Sequence, residues 1–245
     1  MINDIKKSIT LSFFELKIRN HNTYLGFFWY LLQPLFMFSI LFYVKSNILK
    51  SDINNFLPYL LIGVIMIHFF ISSTNLMMTA ITGNYELLNS RKINPKIFIW
   101  SRFFVSLWIN LFESLLAIIL LAFFGYYYGV FYLLVLPLYM LFTFGVGSIL
   151  CVISTKFFDA VYVWNYFCQI LWFITPIYFV IESSDFLTKY NPLGYFINLA
   201  RNCVYGMNQN SLNLICVCVF MALISYFLSE LVFKYQGKFL TERNK

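Results

Sequence analysis

Charged residues are scarce in this sequence. Only 11% of its 245 residues are Asp, Glu, Lys or Arg, whereas 61% are hydrophobic. Soluble globular domains carry about 25% charged and roughly 45–50% apolar residues. A chain with so little charge cannot cover a water-facing surface of ordinary composition, which excludes a soluble globular protein. We therefore expect lipid to be the solvent for most of the chain.

Several chemical motifs are missing as well. The ten glycines never fall into the G-x-x-x-x-G-K-[ST] spacing of a phosphate-binding loop. The five cysteines and two histidines have no metal-ligand spacing, and His68 lacks a second ligand at helical spacing. There is also no nucleophile elbow and no pair of catalytic carboxylates. We expect no cofactor, metal or nucleotide in this chain, and an enzyme is the weaker class of function.

Long apolar stretches dominate what is present. Each of six stretches can cross about 30 Å of hydrocarbon, and none has the period-two alternation of a membrane β-barrel. In lipid each backbone polar group must be satisfied internally, which favours helices. The prediction is an all-α integral membrane protein, a single transmembrane domain over residues 1–245. Its predicted spans are residues 25–45, 56–81, 103–124, 131–154, 161–181 and 212–233.

Four shorter pieces are predicted outside the spans. They are an N-terminal interfacial helix at 1–22, a cytoplasmic helix at 84–93, short external helices at 186–206 and a cytoplasmic tail at 234–245.

The distribution of positive charge predicts the orientation. Despite a net charge of +7, there is no long basic tract of the kind that binds nucleic acid, and Lys and Arg lie beside the apolar stretches. Of the 17 basic residues, four lie on one alternating set of span ends, and the other thirteen lie on the opposite set. The four are Lys45, Lys50, Lys189 and Arg201. Because Lys and Arg are retained on the cytoplasmic side, both termini are predicted to be cytoplasmic.

Residues 1–22 have the pattern of a helix with two apolar faces. At about 100° per residue the two faces are nearly opposite: Ile5, Ile9, Phe13 and Leu16 lie on one, and Leu11, Phe14 and Ile18 lie on the other. We expect one face in the lipid interface and the other against protein, with Lys17 and Arg19 near the end of the helix. A plain interfacial anchor is the alternative.

The loop after the second stretch has the signals of a short helix. In chain order these are an N-cap at Asn84, an acidic first turn at Glu86, basic residues at Arg91 and Lys92, and a stop at Pro95. Such a helix is expected to expose Leu87 and Leu88 for docking into a groove of another protein. A solvated connector is the alternative.

The segment around residues 190–201 is apolar but too short and too interrupted to span. Asn191 and Pro192 favour a helix start, and Gly206 favours its end. The segment is either an amphipathic surface helix or a re-entrant element on the external side.

Glu113 stands out among the polar residues of the spans. A carboxylate near the centre of a span is costly in lipid, so it should face the bundle interior or a water-filled cavity. We expect it to be protonated or bonded to a hydroxyl or amide, and to lie in a translocation path. An interhelical structural hydrogen bond is the alternative.

Aromatic residues make up 22% of the chain, more than two interfacial belts require. Sugar rings present apolar C–H faces that stack on aromatic rings, so some of these residues are candidate contacts for an oligosaccharide. With the amide of Gln33, the candidates are Tyr30, Tyr43, Trp164, Phe167 and Trp172. Packing in the core or against lipid is the alternative for each of them.

Four groups of residues, taken in order, resemble the permease family of ABC type-2 polysaccharide exporters. The first is Phe14-Glu-Leu-Lys-Ile-Arg19 with Tyr24-Leu-Gly-Phe-Phe-Trp29 and Gln33-Pro-Leu35. The others are Asn84-Tyr-Glu-Leu-Leu88 with Ile93-Asn-Pro95, Lys156-Phe-Phe-Asp159 with Thr175-Pro-Ile177, and Asn191-Pro-Leu193 with Arg201. That family carries O-antigen, capsule or teichoic-acid chains across the bacterial inner membrane.

The resemblance implies a homodimer of this chain with two cytoplasmic ATPase subunits, which would hold ATP and Mg²⁺. A lipid-linked polysaccharide would move through a channel between the protomers. The helix at 84–93 would be the coupling helix, and it and the N-terminal helix would contact the ATPases. Arg201 would meet a phosphate near the exit or, equally, a backbone carbonyl.

Two other functions stay open. ABC type-2 permeases for drugs or other small amphiphiles share the six-span plan, although the order of the four groups favours polysaccharide. From a different class, the chain would be a membrane-embedded glycosyl or acyl transferase, or a scaffold of an envelope complex.

Overall fold

Helices form the regular structure in a computed structural model that describes residues 2–21, 26, 28–44, 56–90, 93–177, 190–205 and 211–242. No strand occurs among these residues, which confirms the all-α class. Their α-helices are α1 (Ile2–Asn20), α2 (Phe28–Tyr43), α3 (Phe56–Met78), α4 (Tyr85–Ser90), α5 (Lys96–Phe123), α6 (Leu136–Lys156), α7 (Ala160–Ile174), α8 (Pro192–Tyr205) and α9 (Ser211–Glu242). Two 3₁₀ segments, Thr82–Asn84 and Tyr127–Leu134, precede α4 and α6.

Four helices are long and apolar enough to cross a bilayer: α3, α5, α6 and the part of α9 from Leu212 to Tyr235. Helices α2 and α7 are apolar but have only 16 and 15 residues. At about 1.5 Å per residue they extend roughly 24 and 22 Å, short of about 30 Å of hydrocarbon. A multi-pass membrane protein is thus supported, and the count of six spans stays a prediction.

Helix α7 ends earlier than the predicted span 161–181, of which residues 178–181 lie outside the described part. It stops at Ile174, and Thr175 is extended, with φ −78° and ψ 135°. A residue that precedes proline is disfavoured in the helical region, and Pro176 follows. Residues 175–177 of the predicted span are therefore not helical.

Other predicted boundaries also move. Helix α5 begins at Lys96 rather than at residue 103, because Pro95, with φ −55°, starts this helix instead of only ending the previous one. The span predicted from residue 131 begins as a 3₁₀ segment, and α6 starts at Leu136 with Pro137 in its first turn. Helix α9 continues to Glu242, so most of the predicted tail belongs to it.

Two glycines let α6 pack between α3 and α9. A Cβ atom on Gly145 would lie 2.5 Å from the carbonyl carbon of Ser225 in α9, and one on Gly147 would lie 2.5 Å from Sδ of Met77 in α3. Small residues allow helix backbones to approach closely in a membrane. The two glycines therefore bring α6 close to both neighbours.

Side-chain hydrogen bonds further hold α3 in place. The donors and acceptors are Tyr139 Oη to the Met66 carbonyl at 2.9 Å, Ser154 Oγ to the Met78 carbonyl at 2.6 Å, and Ser73 Oγ to Ser106 Oγ at 2.7 Å. These bonds fix α3 to α5 and α6 along its length. Helix α3 is therefore well anchored where it lines the groove described below.

Candidate functional site

A groove of about 800 Å³ lies between α2 and α3, with α5 and α7 also contributing. We call it the α2–α3 groove. Its polar lining comes from Arg19, Gln33, His68, Ser72 and Asn75. Its aromatic lining includes Trp29, Tyr30 and Trp172. No carboxylate lines it among the described residues, so its chemistry suits ligands that accept hydrogen bonds or stack on rings.

The groove brings together three of the residues predicted for a substrate path, Tyr30, Gln33 and Trp172. Tyr43 is exposed near the end of α2 and does not line it. Trp29, Asn75 and Arg19 are additions that sequence reasoning did not assign to the path. They come together because α2 packs against α3 and α1 ends beside both, which the linear pattern does not reveal.

Glu113 is buried beside His68. The side chain of Glu113 is 2% exposed, and its Oε1 lies 3.1 Å from His68 Nδ1. Neither carboxylate oxygen has an aligned hydrogen bond to another described residue, so the contact is a close approach of the two side chains. Of the two expectations for Glu113, a bond to a hydroxyl or amide was wrong, because the packing of α3 on α5 places an imidazole there. A signal was present, since both residues lie at mid-span in adjacent predicted helices. That the carboxyl group is protonated stays a prediction.

Glu113 faces the groove only through His68. Glu113 itself lines a separate cavity of about 10 Å³, whose walls also include Pro34 and Leu61. That volume holds about one water molecule. His68 lines the α2–α3 groove, so the imidazole stands between the groove and the carboxylate.

Trp164 packs on α3 and Phe167 packs on Trp164, and neither lines the groove. Trp164 Nε1 donates to Thr74 Oγ1 at 3.1 Å, and its ring lies 6.3 Å from that of Phe70. The Phe167 ring centroid is 5.3 Å from that of Trp164. For both aromatics these contacts correspond to the alternative of packing, not to a contact with an oligosaccharide.

Backbone carbonyls occupy the hydrogen-bond donors of Arg201. Its Nε and Nη2 donate to the Tyr59 carbonyl at 3.2 and 3.0 Å, Nη1 donates to the Pro176 carbonyl at 2.8 Å, and Nη2 also donates to the Ile177 carbonyl at 3.1 Å. The guanidinium lies 3.3 Å from the centre of the Tyr59 ring, and burial lowers the pKa of Arg201 to about 10. Of the two partners expected for Arg201, the structure shows the carbonyl. Arg201 thereby joins α8 to the start of α3 and to the broken end of α7.

A second groove, of about 580 Å³, lies at the end of the bundle where α1, α4 and the start of α5 meet. We call it the α1–α4 groove. It is lined by charged and apolar side chains: Asp4, Lys7, Leu11, Leu87, Ile93, Asn94, Ile97 and Phe98. Its size and mixed lining suit a segment of another protein.

The residues predicted for docking divide between surface and core. Leu87 is 48% exposed and lines the α1–α4 groove, whereas Leu88 is 8% exposed and belongs to the hydrophobic core. The expectation that both leucines are exposed was therefore wrong for Leu88, because successive helical residues point about 100° apart. Glu86 lies in the first turn of α4 as predicted, and Arg91 lies outside the described residues.

Asn84 and Pro95 act differently from their predicted roles as cap and stop. Asn84 lies in the 3₁₀ segment, and its Nδ2 donates back to the Ala80 carbonyl at 2.8 Å, so it satisfies the preceding turn. Pro95 begins α5, and the amide of Lys96 donates to Asn94 Oδ1 at 3.1 Å. The turn before α5 is therefore held by Asn94, a residue to which sequence reasoning gave no structural role.

Three polar contacts join helix α1 to α5. These are Ser8 Oγ to the Ile97 carbonyl at 3.1 Å, Trp108 Nε1 to Ser12 Oγ at 3.3 Å, and Arg102 Nε to Glu15 Oε2 at 3.4 Å. Burial raises the pKa of Glu15, although Arg102 opposes that shift. The face of α1 that meets protein thus combines polar side chains with the apolar Leu11 and Phe13, and the pattern of two apolar patches did not predict the polar part.

The outer face of α1 carries exposed apolar side chains in its second half. Phe14 and Ile18 are exposed, and Phe13 is half exposed, with its ring centroid 5.0 Å from that of Trp108. Lys17 is exposed, while Arg19 lines the α2–α3 groove. The helix therefore presents an apolar surface next to basic residues, as expected of an element in a lipid interface.

Comparison with known proteins places these elements in a family. A family model described as ABC-2 type transporter matches residues 8–205. The match begins inside α1 and ends with α8, so it includes the whole lining of the α2–α3 groove and the lining of the α1–α4 groove from Leu11 onward. No curated protein matches the chain.

Proposed function

The chain belongs to the ABC-2 type transporter family, and on that premise we propose that it is the membrane subunit of an ATP-driven exporter for a lipid-linked polysaccharide. Membership makes it a transport component, and it implies association with ABC ATPase subunits. The cargo, the homodimer, the two ATPase subunits and the location in a bacterial inner membrane with both termini cytoplasmic are parts of the proposal.

The observation that carries the choice of cargo is the lining of the α2–α3 groove. Trp29, Tyr30 and Trp172 offer ring faces, and Gln33 and Asn75 offer amides, in one groove of about 800 Å³. A sugar chain needs both, because its C–H faces stack on aromatic rings and its hydroxyls exchange hydrogen bonds with amides. A compact hydrophobic drug would need only the apolar part of this lining.

The proposed homodimer would enclose the groove. One face of α7 is exposed and strongly apolar, with Tyr162, Val163, Tyr166, Ile170 and Phe173 on it. A second copy of the chain beside α2 and α7 would close the groove into a channel.

The ATPases are proposed to dock at the α1–α4 groove. Leu87 supplies an exposed apolar contact there, and Asp4 and Lys7 supply charges of both signs. ATP-driven movement of the docked subunits would pass into α5 directly, since Ile97 and Phe98 line the same groove at the start of that helix.

The first experiment is genetic and biochemical. Deletion of the gene should abolish one surface polysaccharide, which should then accumulate inside the cell on its lipid carrier. Gently extracted tagged protein should bring down an ATPase subunit. Loss of resistance to a small amphiphile with all surface glycans intact would indicate the drug-exporter alternative, and extraction without any ATPase would contradict the exporter itself.

A matched pair of variants tests the groove. Trp172→Ala removes a ring from the groove and should reduce export, while Phe220→Ala removes an exposed ring from α9, outside the groove and the proposed dimer face, and should not. Contacts between aromatic rings are worth about 0.5–1.5 kcal/mol per pair, and a sugar–ring contact of the same size would correspond to roughly two- to tenfold in affinity. Equal export by the two variants would show that the groove does not contact the cargo.

A further inference from the structure

His68 contacts the buried carboxylate of Glu113 on one side and lines the α2–α3 groove on the other. Nδ1 of His68 is buried and faces Glu113 Oε1 at 3.1 Å, while the side chain as a whole is 12% exposed and lines the groove. The two ring nitrogens of histidine lie on opposite sides of the ring. With Nδ1 turned to the carboxylate, Nε2 is the nitrogen left for the groove.

The charge balance of the pair decides what Nε2 offers. A net charge buried in a low-dielectric bundle is costly, so the favoured state of the pair is neutral overall. One neutral arrangement, the Nδ1–H tautomer beside a carboxyl group protonated on Oε2, is disfavoured because Oε2 has no acceptor among the described residues. Two neutral arrangements remain: imidazolium beside carboxylate, or neutral imidazole accepting a hydrogen bond at Nδ1 from a carboxyl group protonated on Oε1. In both of them Nε2 carries a hydrogen, so the groove meets a donor wherever the shared proton lies.

The groove around His68 favours an anionic acceptor. Arg19 is the charged residue among its described lining side chains, and Gln33 and Ser72 add further polar groups. A cationic ligand would find no counter-charge in this lining, whereas phosphate oxygens accept hydrogen bonds from imidazole, guanidinium and amide donors.

We infer that His68 Nε2 is a donor to a phosphate group of a lipid-linked ligand in the α2–α3 groove, and that Glu113 is the positioning residue that keeps this nitrogen protonated. The inference rests on the proposed function, because it names the part of the cargo that this side of the groove binds. It also replaces the phosphate contact considered for Arg201, whose donors are occupied by carbonyls.

The test uses nuclear magnetic resonance of the full-length chain labelled with ¹⁵N-histidine. The sequence has two histidines, so two imidazoles are observed, and His21→Gln removes one of them and assigns the other. In the wild type, His68 Nε2 should carry a proton. In Glu113→Gln the pair no longer shares a proton, so the two tautomers of His68 should mix, whereas Glu113→Asp should restore the wild-type signature.

The ligand is tested by titration in alkyl maltoside micelles, which contain no phosphate. Hexadecyl phosphate is the probe, hexadecanol is the control with the same chain, and inorganic phosphate is the control without it. Hexadecyl phosphate should shift the His68 Nε2 resonance, and hexadecanol should not. If inorganic phosphate shifts it equally, the subsite still binds phosphate, but the lipid chain contributes nothing.

The affinity for hexadecyl phosphate distinguishes a positioning role of Glu113 from a purely structural one. Hydrogen bonds to charged groups contribute about 1.5–3 kcal/mol, so His68→Gln should weaken binding of hexadecyl phosphate by about tenfold or more. Glu113→Gln should weaken it less while leaving binding of hexadecanol unchanged, and His21→Gln should change neither.

Three results would overturn the inference: an unaltered His68 signature in Glu113→Gln, an identical response to hexadecanol and hexadecyl phosphate, or no response to either. Each of them would leave the exporter proposal to its own test, the recovery of an ATPase and the loss of a surface glycan.

Discussion

Leu87 and Leu88 are adjacent in the sequence, but replacing each by Asp should affect a different property: binding of the ATPase for Leu87 and stability of the fold for Leu88. Leu87 is 48% exposed at the α1–α4 groove, and Leu88 is 8% exposed within the core. Leu87→Asp should leave the protein stable but weaken its association with the ATPase. Leu88→Asp should destabilise the fold whether or not the ATPase is present.

The expected sizes follow from burial. A fully buried leucine contributes about 1.5–3 kcal/mol, and an unpaired polar group in its place adds a cost of similar size. Leu88→Asp should therefore cost about 3–5 kcal/mol, a large part of a typical stability of about 5–15 kcal/mol. A surface change such as Leu87→Asp costs within about 0.5 kcal/mol, but loss of its burial at an interface would weaken ATPase binding about ten- to a hundredfold.

The assay measures two quantities on each variant: the midpoint of thermal unfolding in detergent, and the amount of ATPase recovered with the tagged chain. The wild type and Leu87→Ala serve as controls, the latter because it shortens the side chain without adding charge. Equal losses of stability for the two Asp variants, or full ATPase recovery by Leu87→Asp, would refute the division between docking surface and core.

Three further predictions concern packing and charge. Arg201→Lys should lower the unfolding midpoint by roughly 5–15 °C, because one ammonium group cannot replace the several charged hydrogen bonds of the guanidinium; an unchanged midpoint would contradict its structural role. Gly145→Ala should cost about 1–3 kcal/mol by overpacking, whereas Gly83→Ala, whose Cβ would lie 3.7 Å from Arg102 Nη2, should be tolerated in the same thermal assay. The burial-raised pKa of Glu15 means that the folded state holds this proton more tightly than the unfolded chain, so the docking of α1 should weaken as pH rises from about the usual 4.5 through the folded pKa. Hydrogen exchange of α1 measured across this range should show that trend, and Glu15→Gln should abolish it.

Sequence alone was sufficient for features that depend on local composition. The membrane class, the helical fold and the start of the short helix α8 all followed from apolar run length and from start signals. Asn191 confirms the last of these, since its Oδ1 accepts from the Leu193 amide at 3.0 Å just where α8 begins. Transfer of apolar side chains into lipid and satisfaction of backbone groups are properties of a segment by itself, so a segment reveals them.

Helix ends next to prolines were less predictable. Pro95 was interpreted as a stop and is a start, while Pro176 was placed inside a span and ends a helix. Proline restricts its own φ and the residue before it, so it is compatible with either side of a boundary. Which side is used depends on whether the flanking segment finds a packing partner.

What only the tertiary structure decided is which side chains meet. The pairing of His68 with Glu113, the capture of Arg201 by three carbonyls and the different fates of Leu87 and Leu88 all depend on the register and rotation of helices distant in sequence. The sequence by itself determined that this chain lies in a membrane as helices, because the energy of each helix in lipid is local. The roles of its few polar residues were decided by packing, because the role of a buried polar group depends on the partner that the fold places beside it.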